Sequence, residues 1–226
     1  MGTRPREYVG SPAGRVGGAA WGGPALAPLP IPGENGAMKI LSVNVARAQR
    51  VQINGREVMT AIGKRPCSGP VMIHPLGLEG DEQADPTVHG GIQKAVYAYP
   101  SEHLPFWRTV RAQARAGAWD EDVPPGLVGE NLTLQGVTER ELWIGDRLCL
   151  PSGAVLVVSE PRRPCFKFNA AMGFNQASKL MVQSGYCGSY LAVLVPGEVQ
   201  AGDEFTLEPG ARELGLTEWF RAKMAR

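Results

Sequence analysis

The chain carries almost no net charge: 23 lysines and arginines stand against 22 aspartates and glutamates in 226 residues. Without an excess of one sign there is no broad field to attract nucleic acid or an anionic membrane, so any anion site has to be local. There is no apolar run close to the roughly 20 residues that a spanning helix needs. Histidine is scarce, and the positions of His74, His89 and His103 lack the compact spacing of zinc ligands. The four cysteines, Cys67, Cys149, Cys165 and Cys187, form no C-x-x-C pair and follow no secretory segment. Reduced thiols in a soluble, cytoplasmic protein are expected, rather than a disulfide framework.

Glycine and proline are plentiful, and nine glycines with six prolines fall within residues 1–37. That stretch has too little bulky apolar surface to offset the entropy of ordering its backbone, and it reads as a disordered tail. Met38 then opens MKILSVNV, whose Leu41, Val43 and Val45 alternate with polar neighbours as in a half-buried strand. A folded domain is expected over residues 38–208, with a short helical tail over 209–226.

Short strand-like runs recur at 56–62, 70–74, 94–99, 131–135, 146–150 and 154–160, separated by turn residues. The spacing predicts a mainly β fold, a barrel or sandwich, rather than alternating parallel units. Pro151, Ser152 and Gly153 make a hairpin connection. ELWIGDRLCL (141–150) echoes EVQAGDEFTL (198–207), which suggests two similar corners built on Gly-Asp turns. Two helices interrupt the pattern. One is capped by Ser101, carries Leu104, Trp107, Val110 and Ala114 on one face, and ends by Gly117; the other covers 175–183 with Gly185 as terminator. A last helix from Thr217 packs Trp219, Phe220 and Met224.

The densest polar cluster is GLEGDEQADPTVHGG, residues 77–91. Gly90 and Gly91 could offer backbone N–H groups to an anion with Lys94 close behind, while Asp81 and His89 could handle protons; turn duty for the glycines is the alternative. VGEN (128–131) and QSGYCG (183–188) have similar loop composition. The sharpest signal is PRRPCFKFN, 161–169, where prolines restrict Cys165 and Arg162, Arg163 and Lys167 would favour its thiolate. Cys187 has no flanking cations and reads as a packed thiol.

Taken in order, GLEGDEQADPTVHGG, GEN, the cysteine in PRRPCFKFN and SGYCG resemble the MOSC domain family, named for the C-terminal domain of molybdenum cofactor sulfurase. Within it the chain looks most like the stand-alone YiiM-like branch linked to resistance to N-hydroxylaminopurine. The resemblance covers about 39–208 and implies a MOSC-type β-barrel with a few peripheral α-helices. It implies the molybdenum cofactor (molybdopterin), with Cys165 as the metal ligand. Gly90, Gly91, Lys94, Asn131, Arg162, Arg163 and Lys167 become candidates for holding the cofactor, and Asp81 and His89 for shaping the site or delivering protons. The implied activity is reduction of N-hydroxylated compounds such as purine analogues by a monomer or weak dimer. A separate flavin or iron–sulfur protein would supply electrons, because the chain has neither a dinucleotide fingerprint nor a cysteine cluster. A persulfide on Cys165, making a sulfur carrier, and a non-enzymatic cofactor carrier are the alternatives.

Overall fold

The computed structural model describes residues 37–85 and 90–225. The expected tail, up to residue 36, and His89 lie outside these residues. Thirteen strands and four α-helices follow one another along the described chain. The first six strands are β1 (Lys39–Val45), β2 (Gln49–Ile53), β3 (Arg56–Thr60), β4 (Arg65–Pro66), β5 (Val71–His74) and β6 (Gly77–Leu78). Next come β7 (Val96–Pro100), α1 (Leu104–Gln113), β8 (Leu132–Gln135), β9 (Arg147–Cys149) and β10 (Val155–Pro161). The chain continues through α2 (Phe166–Met172), α3 (Ala177–Ser184), β11 (Ser189–Val195), β12 (Gly197–Val199), β13 (Thr206–Glu208) and α4 (Leu216–Met224).

The main sheet has eight strands in the order β13-β9-β10-β11-β7-β8-β1-β4, beside a three-stranded sheet, β12-β5-β6, and the hairpin β2-β3. Its centre is β7, buried along its whole length. The two-residue side-chain period sends Val96 and Ala98 into one core and Tyr97 and Tyr99 into the other. The first core is aliphatic, with Ile40, Leu132, Leu156 and Leu191. The second is aromatic and covered by helices: Trp107 of α1, Phe168 and Met172 of α2, Met181 of α3 and Phe220 of α4. Two parallel strands run in the same direction and cannot be joined by a tight hairpin. β7 accordingly reaches parallel β8 by a crossover that contains α1.

The mainly β expectation holds, but the sheet does not close into a barrel by a continuous ladder. β13 and β4 end the strand order, and the segment just before β13 meets β1 through an isolated Lys39↔Glu204 bridge rather than a ladder. Three backbone bonds accompany that seam: Ile40 N to Asp203 O at 2.8 Å, Gly202 N to Ile40 O at 2.8 Å, and Phe205 N to Met38 O at 3.0 Å. Local details also differ. Ser101 begins a 3-10 turn and makes no side-chain cap, and α1 ends before Arg115, which takes φ 58°, so Gly117 is not its terminator. Gly185 does end α3, in the left-handed conformation.

Candidate functional site

A cavity of about 650 Å³, its open mouth included, lies where six separated parts of the chain meet. β3 and the chain after it supply Thr60, Ile62 and Lys64; the loop after β6 supplies Asp81 to Asp85. Lys94, Tyr97 and Asn131 come from around β7 and β8, and Arg162, Cys165 and Lys167 from the end of β10 and the start of α2. Tyr190 of β11 completes the wall.

Asp81 holds one side together. Its Oδ1 accepts from Ala46 N at 2.7 Å and from the Lys64 ammonium, and its Oδ2 accepts from Asn131 Nδ2 at 2.9 Å. The Lys64 and Asp81 side chains are only 8% and 7% exposed, so the pair sits in low dielectric, where breaking it strands a charge. Burial pulls the Lys64 ammonium below its usual value, and Asp81 opposes that shift. Asn131 is committed on every side. Its amide also donates to Asn44 O at 3.1 Å, its Oδ1 accepts from Tyr97 N at 3.1 Å, and its backbone N–H donates to Tyr97 O at 2.7 Å. Beside it, burial pushes the Glu130 carboxyl up, although Gly126 N and Thr133 Oγ1 donate to its Oε1 at 2.6 and 3.0 Å. Glu130 Oε2 is buried without a hydrogen-bond partner among the described residues.

The other side is built around Arg162. Its guanidinium donates to Val128 O and lies over the Tyr97 and Phe168 rings, 4.7 and 5.0 Å from their centroids. Burial opposes its charge; Tyr97, Tyr190 and Cys165 offset this and hold it above its ordinary value. Half-buried Cys165 is the last extended residue before α2, at φ −137° and ψ 175°. Its carbonyl accepts from Ser178 Oγ and Phe168 N, each at 2.9 Å, which fixes the backbone that carries the thiol. Lys167 reaches across to Met59 O at 2.9 Å, tying α2 to the β2-β3 hairpin. Lys94 lies 3.6 Å from Glu160, which Lys223 of α4 also binds.

Of the residues singled out in the sequence, Asp81, Lys94, Asn131, Arg162, Cys165 and Lys167 line this one cavity. Gly90, Gly91 and Arg163 are not on its lining. Gly91 N donates to Gln83 Oε1 at 2.7 Å and starts a 3-10 turn at φ 88°, so this amide is occupied within the loop. Arg163, two residues past the end of β10, is exposed, whereas Arg162 beside it is buried. His89 lies outside the described residues. Lys64 and Glu130 were not among the sequence candidates. A lone lysine in AIGKRP carries no local signal, since its role comes from a carboxylate 17 positions away. Cys187 is fully buried, and burial pushes its thiol well up, in keeping with a packed thiol.

The family model described as the MOSC domain matches residues 85–206. The chain belongs to the MOSC domain family. As a MOSC protein it is 39% identical over 168 residues to YflK of Bacillus subtilis (strain 168), covering 74% of this chain and 72% of that one. YiiM of Escherichia coli (strain K12) is 39% identical over 143 residues, covering 63% and 61%. A protein named Reductase, from Gibberella moniliformis, is 34% identical over 181 residues, or 80% of this chain but 30% of the fungal one. Among solved structures, YiiM from Geobacillus stearothermophilus superposes with a TM-score of 0.65 at 30% identity, covering 82% and 83%. Among the described residues no helix is long and apolar enough to cross a membrane.

Proposed function

We propose that this MOSC protein is a molybdenum-cofactor-dependent reductase of N-hydroxylated compounds, with the Cys165 thiolate as the metal's protein ligand. The observation that carries the reading is convergence: Cys165, Arg162, Lys167, Lys94 and Asn131, distant in sequence, line one cavity. The residues present fit the group. A thiolate is the soft donor that such a metal takes, and three lysines and a buried arginine around it suit an anionic phosphorylated pterin. When bound, the cofactor supplies two-electron redox chemistry at the metal.

The chain's own contribution is placement and polarity. Arg162 is fixed between two rings and a carbonyl, so its charge is directed at the cavity without reorganisation. The Cys165 carbonyl is held by Phe168 N of α2 and by Ser178 Oγ of α3. Ile62, Ala95 and Tyr190 add apolar surface to the lining, and the open mouth would admit substrate. The similarity to YiiM and to a protein named Reductase supports this reading. A cytoplasmic monomer or weak dimer that takes electrons from a separate flavin or iron–sulfur protein is part of the same proposal.

The test is metal, pterin and persulfide analysis of protein purified without oxidants, followed by N-hydroxylaminopurine turnover with reduced viologen. Molybdenum near one per chain and conversion to the aminopurine are expected. A persulfide without molybdenum would make the protein a sulfur carrier, and bound cofactor without turnover would make it a cofactor carrier.

A further inference from the structure

Breaking an N–O bond releases an oxygen that must be protonated as it leaves, since free hydroxide is a poor leaving group at neutral pH. Several groups on the described cavity wall are poorly suited to this. Asp81 accepts N–H or ammonium donors at both oxygens. Arg162 is always charged and is spent on Val128 O and two rings. Glu82 accepts from Ala48 N at 2.8 Å and pairs with Arg47. Tyr97 donates to Cys187 O at 2.8 Å, and burial raises the Tyr190 phenol, which makes it a weaker acid.

We propose that Lys64 is the proton donor of this cavity, giving a proton from its ammonium to the hydroxyl oxygen of an N-hydroxylated ligand as that oxygen departs as water. The inference rests on the reductase reading above. In the step the N–O bond breaks, and two electrons drawn from the flavin or iron–sulfur donor reduce the nitrogen. One proton passes from Lys64 Nζ to oxygen and a second from solvent to nitrogen, so R–NH–OH becomes R–NH2 and water. Lys64 is then reprotonated through the open mouth.

Three features equip Lys64 for this. It lines the same cavity as Cys165. Its ammonium is aimed by a carboxylate that Ala46 N and Asn131 Nδ2 hold in place. It is nearly excluded from water, so burial makes it a stronger acid than an ordinary lysine. The charged groups acting on it are Asp81 and Glu130, which favour the ammonium, and Arg162, which disfavours it. Cys67, whose thiol is raised by burial and by Asp81, faces the same carboxylate.

Two measurements test the proposal. In the cofactor-free chain, nitrogen-15 NMR of lysine Nζ, with Lys64 assigned by its loss in Lys64→Arg, is expected to show Lys64 titrating below the other lysines. Titration together with the exposed lysines would overturn the proposal. In the loaded protein with viologen as reductant, Lys64→Arg keeps the charge beside Asp81 but cannot release a proton. It is expected to lower kcat per molybdenum by on the order of 100-fold or more, with molybdenum content and KM near the parent values. The parent should lose activity as pH rises through the lowered Lys64 value, and the variant should lack that limb. A variant that keeps the parent kcat, or one that loses its molybdenum, would sink the proton-donor role while leaving the reductase reading standing. Failure of the fully loaded parent to turn over would remove that reading, and this proposal with it.

Discussion

Asn131 satisfies three buried partners with one side-chain amide: Asn44 O, Asp81 Oδ2 and Tyr97 N. Asn131→Ala leaves all three unmet, at a cost of roughly 2–4 kcal/mol. A lower urea midpoint with unchanged slope is the expected result, so this residue acts through the fold at least as much as through any ligand. Glu130 makes a pH prediction. Its folded-state value is raised by burial, so its contribution is fully present below the ordinary glutamate range and is lost as pH rises through the folded value. Stability should therefore fall between about pH 4 and its raised value, and Glu130→Gln should flatten that slope in denaturant titrations from pH 4 to 8. Cys165→Ser should abolish molybdenum retention and turnover while shifting stability by less than about 1 kcal/mol, because serine is a good residue before a helix. Cys149→Ser and Cys187→Ser should retain most of both. Cys165 was legible because its flanking prolines and cations are adjacent in sequence. Lys64 was not, because nothing near it hints at Asp81, and the burial of Arg162 beside an exposed Arg163 depends on how the chain leaves β10.

Elements were legible where their determinants are local. The echo of ELWIGDRLCL and EVQAGDEFTL proves to be two equivalent turns. Asp146 Oδ2 accepts from Trp143 N at 3.1 Å, and Asp203 Oδ2 accepts from Gln200 N at 2.9 Å. The strands that follow them, β9 and β13, pair with each other. The hairpin at Pro151–Gly153 is also present, with Leu150 N bonded to Ala154 O at 2.9 Å. The helix α2 was missed because PRRP reads as rigid loop, yet the prolines end at Pro164 and leave later amides able to bond, while Phe168 and Met172 share one buried face. The strand β11 was missed because it is a continuous apolar run without alternation, buried on both faces where it meets β7. The loop before β8 yields a test. An added Cβ at Gly126, which has φ +85°, would lie 2.4 Å from Lys64 O. Gly126→Ala should destabilise by about 2 kcal/mol or more and also reduce molybdenum content by displacing the Lys64 backbone, which parallel melts and metal analysis would register.

At the scale of the whole molecule, the proposed reaction consumes two electrons for which the chain shows no entry motif of its own. The purified protein should be inactive with NADH or NADPH alone and active once a flavoprotein donor or reduced viologen is added; NADPH-driven turnover by this chain and its cofactor alone would contradict this. We also propose that folding starts at Met38. Its carbonyl accepts from Phe205 N, and its side chain packs on the aliphatic core, so a chain beginning there should melt within about 5 °C of the full one. The seam that involves Met38 has a further consequence. Three backbone bonds join the start of β1 to the segment before β13, whereas β10 and β11 share a register of six residue pairs. Such a junction can part without disturbing the ladders on either side of it, as a clasp opens while the band stays whole. The amides of Ile40, Gly202 and Phe205 should then exchange with deuterium as one group, ahead of those in β7, β10 and β11 and at a lower opening free energy than global unfolding.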